Sequence, residues 1–222
     1  MHIAIRSFKY VLAGFCLAIV FTARVLGADG PLTAEGVIKK DTTWSGVVIV
    51  ASDVLVPEGV TLTIAPGTKV LFAMSDSSKI EPMFLSMQTE LLVRGKLMAQ
   101  GEKDRPVRFG PATDAADGRK PQRGDWGGVI FDGEASSGSV VAGAEFAMAD
   151  TGVSVYHSSP RLAGCRIDDC RYGIVCAGGS RPEISGCTVR SCEYGVVSIK
   201  RSRPVLAGCK VEKNERDFLT RD

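Results

Sequence analysis

Between Pro160 and Leu219 the sequence repeats itself every 22 residues. Pro160, Pro182 and Pro204 open three blocks, followed in each by Gly164, Gly186 and Gly208, and then by Cys165, Cys187 and Cys209. Ile167, Val189 and Val211 come next, then Cys170, Cys192 and Asn214, then Tyr172-Gly173 and Tyr194-Gly195. A fixed period of this length is the mark of a repeat architecture, in which no unit buries its apolar side alone and stability comes from stacking neighbours. Within a block the apolar residues alternate over short runs, a strand signal, and Gly, Pro, Ser and Asp punctuate them. The block therefore predicts one turn of an all-β, single-stranded, right-handed parallel β-helix, a solenoid with coils of about 22 residues stacked at ~4.8 Å.

This register places residue i directly beneath residue i+22 and explains the cysteines. Of seven, six follow residue 164. Cys165, Cys187 and Cys209 form one inward column, and Cys170, Cys192 and Asn214 a second. Asparagine at such corners bonds along the column through its amide. A buried free thiol fills the same place as a small hydrophobe, and the cysteines are expected to be mainly reduced. On the outside, Asp168, Arg190 and Glu212 form a column of alternating sign, expected to be exposed and mildly stabilising.

The rest of the chain reads as follows. Residues 1–27 carry Arg6 and Lys9, an apolar run from Tyr10 to Phe21, and small residues before Ala28, the pattern of a secretory signal. Its removal takes Arg6, Lys9 and Arg24 and leaves 24 basic against 25 acidic residues. That balance gives no electrostatic footprint for nucleic acid. The expected location is exported: periplasm, cell surface or extracellular, with no transmembrane span once the signal is cleaved. Residues 28–43 read as a lead-in covering the first coil, and residues 44–222 as the β-helix domain of about eight coils. Early in that domain Val56, Leu62 and Ile64 recur eight residues on as Ile64, Val70 and Phe72, with Pro-Glu-Gly and Ala-Pro-Gly turns between. Residues 75–89 and 113–125 lack this pattern and are expected to leave the rod. A 21-residue block follows, in which Gly143, Phe146, Gly152 and Val153 match Gly164, Ile167, Gly173 and Ile174. After Val211 the repeat gives way to Glu212-Lys213-Asn214-Glu215-Arg216-Asp217; charge on an open edge discourages pairing, so a monomer is expected.

The segments VPEGVTLTIAPGTKVLF, LLVRGKLMAQG, PVRFGPA and GDWGGVIFDG resemble the opening of secreted bacterial right-handed β-helix proteins of the pectin-lyase-like superfamily. GCRIDDCRYGIVC and GCTVRSCEYGVVS resemble its repeat, and the resemblance spans roughly Trp44 to Phe218. It implies the fold. For function it implies a range, from polysaccharide lyases and hydrolases to adhesins and non-catalytic envelope proteins, and no lyase-type active-site motif transfers residue by residue.

Candidate chemistry is sparse. His157 is the one histidine outside the leader and is expected at a coil turn; with no CxxC, haem attachment and a structural zinc site are not supported. Polysaccharide-active β-helices display acids and bases on neighbouring coils, which makes Asp168, Asp169, Arg190 and Lys210 the best catalytic candidates, with Lys213 nearby. Arg123-Gly124-Asp125 spells an adhesion tripeptide. Asp114, Asp117 and Gly118 fail the EF-hand spacing. Met83 and Met87, with Met74 and Met98, are weak soft-metal candidates, since similar repeats occur in a periplasmic copper-maturation factor; adaptable apolar filler is the alternative. The reading that follows is a non-enzymatic secreted or cell-envelope module, structural or binding a polysaccharide or another envelope component, with no cofactor. The alternatives are a polysaccharide lyase or hydrolase, and a copper-handling factor.

Overall fold

The computed structural model describes residues 30–74, 87–112 and 119–222. The expected leader and most of the two excursions, with Met83, Asp114, Asp117 and Gly118, lie outside the described residues. Strand β1 (Leu32–Val37) comes from the expected lead-in. Seven coils follow. The first is β2 (Thr42–Trp44) and the bent β3 (Val47–Val56); the second is β4 (Thr61–Ile64), β5 (Lys69–Phe72) and β6 (Glu90–Val93). The third is β7 (Lys96–Gln100), β8 (Val107–Pro111) and β9 (Trp126–Asp132). A 3-10 turn, Glu134–Gly138, leads to the fourth: β10 (Val140–Ala142), β11 (Ala144–Ala147) and β12 (Ala149–Tyr156). The fifth is β13 (Arg161–Ala163), β14 (Arg166–Asp168) and β15 (Tyr172–Ala177); the sixth β16 (Glu183–Ser185), β17 (Thr188–Arg190) and β18 (Tyr194–Ile199); the seventh β19 (Val205–Ala207), β20 (Lys210–Glu212) and β21 (Arg216–Arg221).

All pairing between coils is parallel, and it makes three faces. The first face is a seven-stranded sheet running from β2 through β4, β7, β10, β13 and β16 to β19. A 14-stranded sheet wraps the other two and is continuous through the bend in β3, whose first half pairs with β5 and second half with β6. The second face continues from β5 to β8, β11, β14, β17 and β20, and the third from β6 to β9, β12, β15, β18 and β21. β1 lies parallel on both halves of β3, so an eighth layer covers two faces at this end.

Each face sends at least one apolar column inward through every coil. On the second face it is Val48, Val70, Phe109, Phe146, Ile167, Val189 and Val211. On the third it is Val54, Leu91, Val129, Val153, Ile174, Val196 and Phe218. The 22-residue register and the 21-residue step before it are both as the repeat predicted. Phe109 and Phe146 stack at 4.7 Å, and Phe72 stacks on Trp126 at 4.2 Å. Burying each such side chain contributes about 1.5–3 kcal/mol. In the seventh coil the same columns are less covered, and Phe218 is 58% exposed.

The corners account for the remaining repeat positions. Gly143, Gly164, Gly186 and Gly208 turn the chain from the first face to the second with positive φ. One residue turns it again from the second face to the third: Met148, Asp169, Ser191 and Lys213 hold φ between 54° and 62°. At Gly173 the requirement is space, since a Cβ there would lie 2.4 Å from Val189 Cγ1 and 2.5 Å from the Gly195 carbonyl oxygen. At the third corner a column of buried serines bonds through its hydroxyls, Ser136 with Ser158 at 2.7 Å and Ser180 to Ser202 at 3.2 Å. The two cysteine columns point inward, and all six thiols are free. Burial pushes the Cys176 thiol up to about 12, which suits packing rather than nucleophilic use. Asn214 ends its column as expected of a corner amide: its Oδ1 accepts from the Cys192 amide at 2.9 Å and its Nδ2 donates to the Val189 carbonyl at 3.1 Å.

Candidate functional site

Asp168, Arg190 and Lys210 sit on the outside of the second face, where the register aligns Asp168, Arg190 and Glu212 as expected. Asp168 is less exposed than a simple surface ladder predicts, at 18% for the side chain. Its Oδ1 accepts from Arg190 Nε at 2.7 Å, and its Oδ2 accepts from Arg166 Nε at 2.6 Å and Arg190 Nη2 at 3.3 Å. Both carboxylate oxygens are therefore held by guanidinium groups. Asp169 is the corner residue. Lys210 is in the column of Arg166 and Thr188, two coils from Arg166, or roughly 10 Å. The four candidates do not converge on one point. The same face adds an Arg108–Glu145 pair at 2.8 Å.

The other sequence candidates are also placed. Asp125 is 8% exposed, bonded to Arg119 at 2.8 Å and to the Gln122 amide at 2.8 Å, while Arg123 donates to the Ser191 carbonyl at 2.7 Å. The adhesion tripeptide is thus tied into the flank of the rod rather than presented on a free loop. His157 follows β12 at a coil turn, as expected, and its Nδ1 lies 3.9 Å from Asp132. Met87 is 80% exposed, and Arg119 donates to the Met74 sulfur. Among the described residues no group of three or more His, Cys, Asp and Glu is arranged to hold a metal ion, and no helix is long and apolar enough to cross a membrane.

A concave site exists on the third face, across the fourth to seventh coils, with a volume of about 530 Å³. That is within the usual range for ligand clefts. Its floor is a column of outward apolar residues, Val175, Val197 and Leu219, one per coil. One wall is Thr151 and Tyr172, in register, with Tyr194 stacked on Tyr172 at 5.2 Å from the next coil and Arg216 over Tyr194 at 5.9 Å. The opposite wall is Tyr156, Ile199 and Lys200, and Arg221 and Asp222 stand at one end. The valley therefore runs along the rod axis. Asp150, at the rim, is paired with Arg171 at 2.8 Å. Burial raises its carboxyl above the usual range, with the Arg171 charge opposing. Burial likewise raises the Tyr156 phenol; its hydrogen bond with Ser154 opposes, and the Glu90, Asp132 and Cys176 charges add.

The repeat shows Tyr172 over Tyr194, but it does not by itself show a valley. A signal was present: Val175, Val197 and Leu219 keep the 22-residue period at an outward position, where a solvated face has polar residues. The ionisable groups lining the valley are Asp150, Lys200, Arg221 and Asp222, with the phenols of Tyr156 and Tyr172. Its two acids, Asp150 and Asp222, belong to coils three steps apart, roughly 14 Å along the axis. Glycosidic cleavage by a carboxyl pair needs a separation below about 10 Å.

Residues 122–219 match the family model described as a right handed beta helix region, a span that holds all but the last two residues of the valley lining. The chain is a right-handed parallel β-helix protein. No curated protein and no solved structure matches it.

Proposed function

We propose that this chain is a non-enzymatic, exported cell-envelope module that holds a polysaccharide in the valley of its third face. The observation that carries this reading is the valley itself, extending over four coils, with an apolar floor in three of them between walls bearing Tyr156 and Tyr172. Tyrosine presents an apolar body with a polar tip, which suits a ligand with apolar ring faces and hydroxyl edges. The acid cluster on the second face supports catalysis poorly. Asp168 has both oxygens bonded to arginines, so neither is turned free toward a substrate.

A glycan array read with the parent, Tyr172→Ala and Asp168→Asn tests the proposal. The parent and Asp168→Asn are expected to bind the same glycans, and Tyr172→Ala to bind them at least ~10-fold more weakly, a loss of about 1.4 kcal/mol. No bound glycan is expected to be cleaved. Cleavage that Asp168→Asn abolishes, with unchanged melting, would replace this reading with a polysaccharide lyase or hydrolase.

A further inference from the structure

We infer that the valley is built for an uncharged, extended β-1,4-linked glycan that runs along the rod axis with about one sugar per coil. This rests on the polysaccharide reading above and adds the charge and geometry of the ligand.

Charge is the first observation. The floor offers no cation, since Val175, Val197 and Leu219 are all aliphatic. Arg171 beside it is already engaged by Asp150 at 2.8 Å and lies 3.9 Å from Glu193. With Asp150 taken by Arg171, Lys200 and Arg221 face Asp222, so the positive charge that remains lies at the sixth- and seventh-coil end of the valley and not along its floor. A polyuronate brings one carboxylate per sugar. Laid over this floor, those carboxylates would lose water and gain no partner, which is strongly unfavourable. Neutral sugars carry no such penalty, and their ring faces match the aliphatic floor.

Geometry is the second observation. Tyr172 and Tyr194 repeat along the axis with ring centroids 5.2 Å apart, and each coil adds one floor residue. Coils advance by ~4.8 Å. A glycan whose two bridging bonds are both equatorial is a straight ribbon that advances by nearly that distance per sugar. Each sugar then sits over one floor residue, with alternate sugars presenting the same edge to the same wall. A chain with one axial and one equatorial bridging bond coils and loses this register. Because the two tyrosine rings stack on each other, their flat faces are largely occupied; they meet the ligand with ring edges and hydroxyls, which places the sugar faces on the floor. The lining comes from four coils and its aliphatic floor from three, so the valley holds about three to four sugars.

The test is a calorimetric titration of the full chain with cello-, xylo- and chito-oligosaccharides of increasing length, beside oligogalacturonides of the same lengths, at low and moderate salt. The expected result is that at least one neutral series binds, gains affinity up to about three to four sugars and then levels off. Salt should change its affinity less than two-fold, since screening acts on charges, and the galacturonides should bind at least ten-fold more weakly. Val197→Lys places a cation on the floor and is expected to weaken the neutral series and strengthen the acidic one. Ile199→Lys, on the wall, makes the same test should Val197→Lys fail to fold. Tighter, salt-sensitive binding of the galacturonides by the parent would overturn this inference and leave the polysaccharide reading standing. Neutral binding with no gain beyond two sugars would overturn the register. Failure of every glycan, here and on the array, would overturn both readings.

Discussion

The second and third faces are built by the same coils over the same core, yet one is a lattice of paired charges and the other a valley. Strand length makes the difference. On the second face β14, β17 and β20 have three residues each, so each shows two side chains outward, such as Arg166 and Asp168. Two columns side by side have no interior, and their charges bond each other. On the third face β15, β18 and β21 have six residues and β12 has eight. Each shows three outward side chains, for example Tyr194, Val197 and Ile199. Three columns are the fewest that make two walls and a floor.

The largest expected effect removes what the faces share. Phe146 is fully buried and stacked on Phe109 beneath the second face. Phe146→Ala is expected to cost about 3–5 kcal/mol, measured by urea unfolding, and to weaken both faces. A cost under about 1 kcal/mol would mean that the coils are not held by a common core. A smaller effect separates the faces. Asp168→Asn leaves Arg166 and Arg190 without their acid and is expected to cost about 1 kcal/mol, at the upper end for partly exposed pairs. That cost should shrink in high salt while glycan affinity stays level. A fall in affinity as large as that of Tyr172→Ala would erase the functional distinction between the faces.

The smallest effect is on the valley rim. Burial raises the Asp150 carboxyl in the folded chain despite Arg171. The folded state therefore favours the neutral acid, a contribution fully present below the unfolded value and lost as pH rises through the folded one. Asp150→Asn is neutral throughout. It is expected to melt close to the parent at low pH and to gain on it as pH rises above about 4. Melting curves of both proteins across that range decide the matter, and a growing deficit for the variant would show that the Arg171 pair outweighs burial.

The fold was open to reading because the inward columns are written in one alphabet. Ile167, Val189 and Val211 are all β-branched and all 22 residues apart, and that alone sets the coil. The corners were harder. Met148, Asp169, Ser191 and Lys213 share a left-handed backbone and no chemistry, because the coils on either side impose the conformation at about 1–2 kcal/mol each. The serine column has the same period as the cysteines, but serines among Gly and Pro look like any loop until the hydroxyls are seen to meet. Asp168 was legible as a member of a charge column, while its second guanidinium, Arg166, comes from along its own strand and leaves no trace in the repeat. The valley was least legible. It depends on the bend at Gly152, Gly173 and Gly195, which turns a simple alternation into three outward columns; the repeat shows these glycines and the apolar column beside them, but not the width that the bend creates.

The close contact at Gly173 also bears on how such a chain changes over generations. The fifth and sixth coils meet through one such junction, with Gly173 against the Gly195 carbonyl, Ser180 on Ser202, and Ile167 on Val189. A tandem duplication of one 22-residue unit would arrive with both halves of its junction already made. It would lengthen the core and, equally, the valley by one step of ~4.8 Å. The reach of the binding surface is then inherited as a copy number, adjustable by slippage in the gene and not only by substitution.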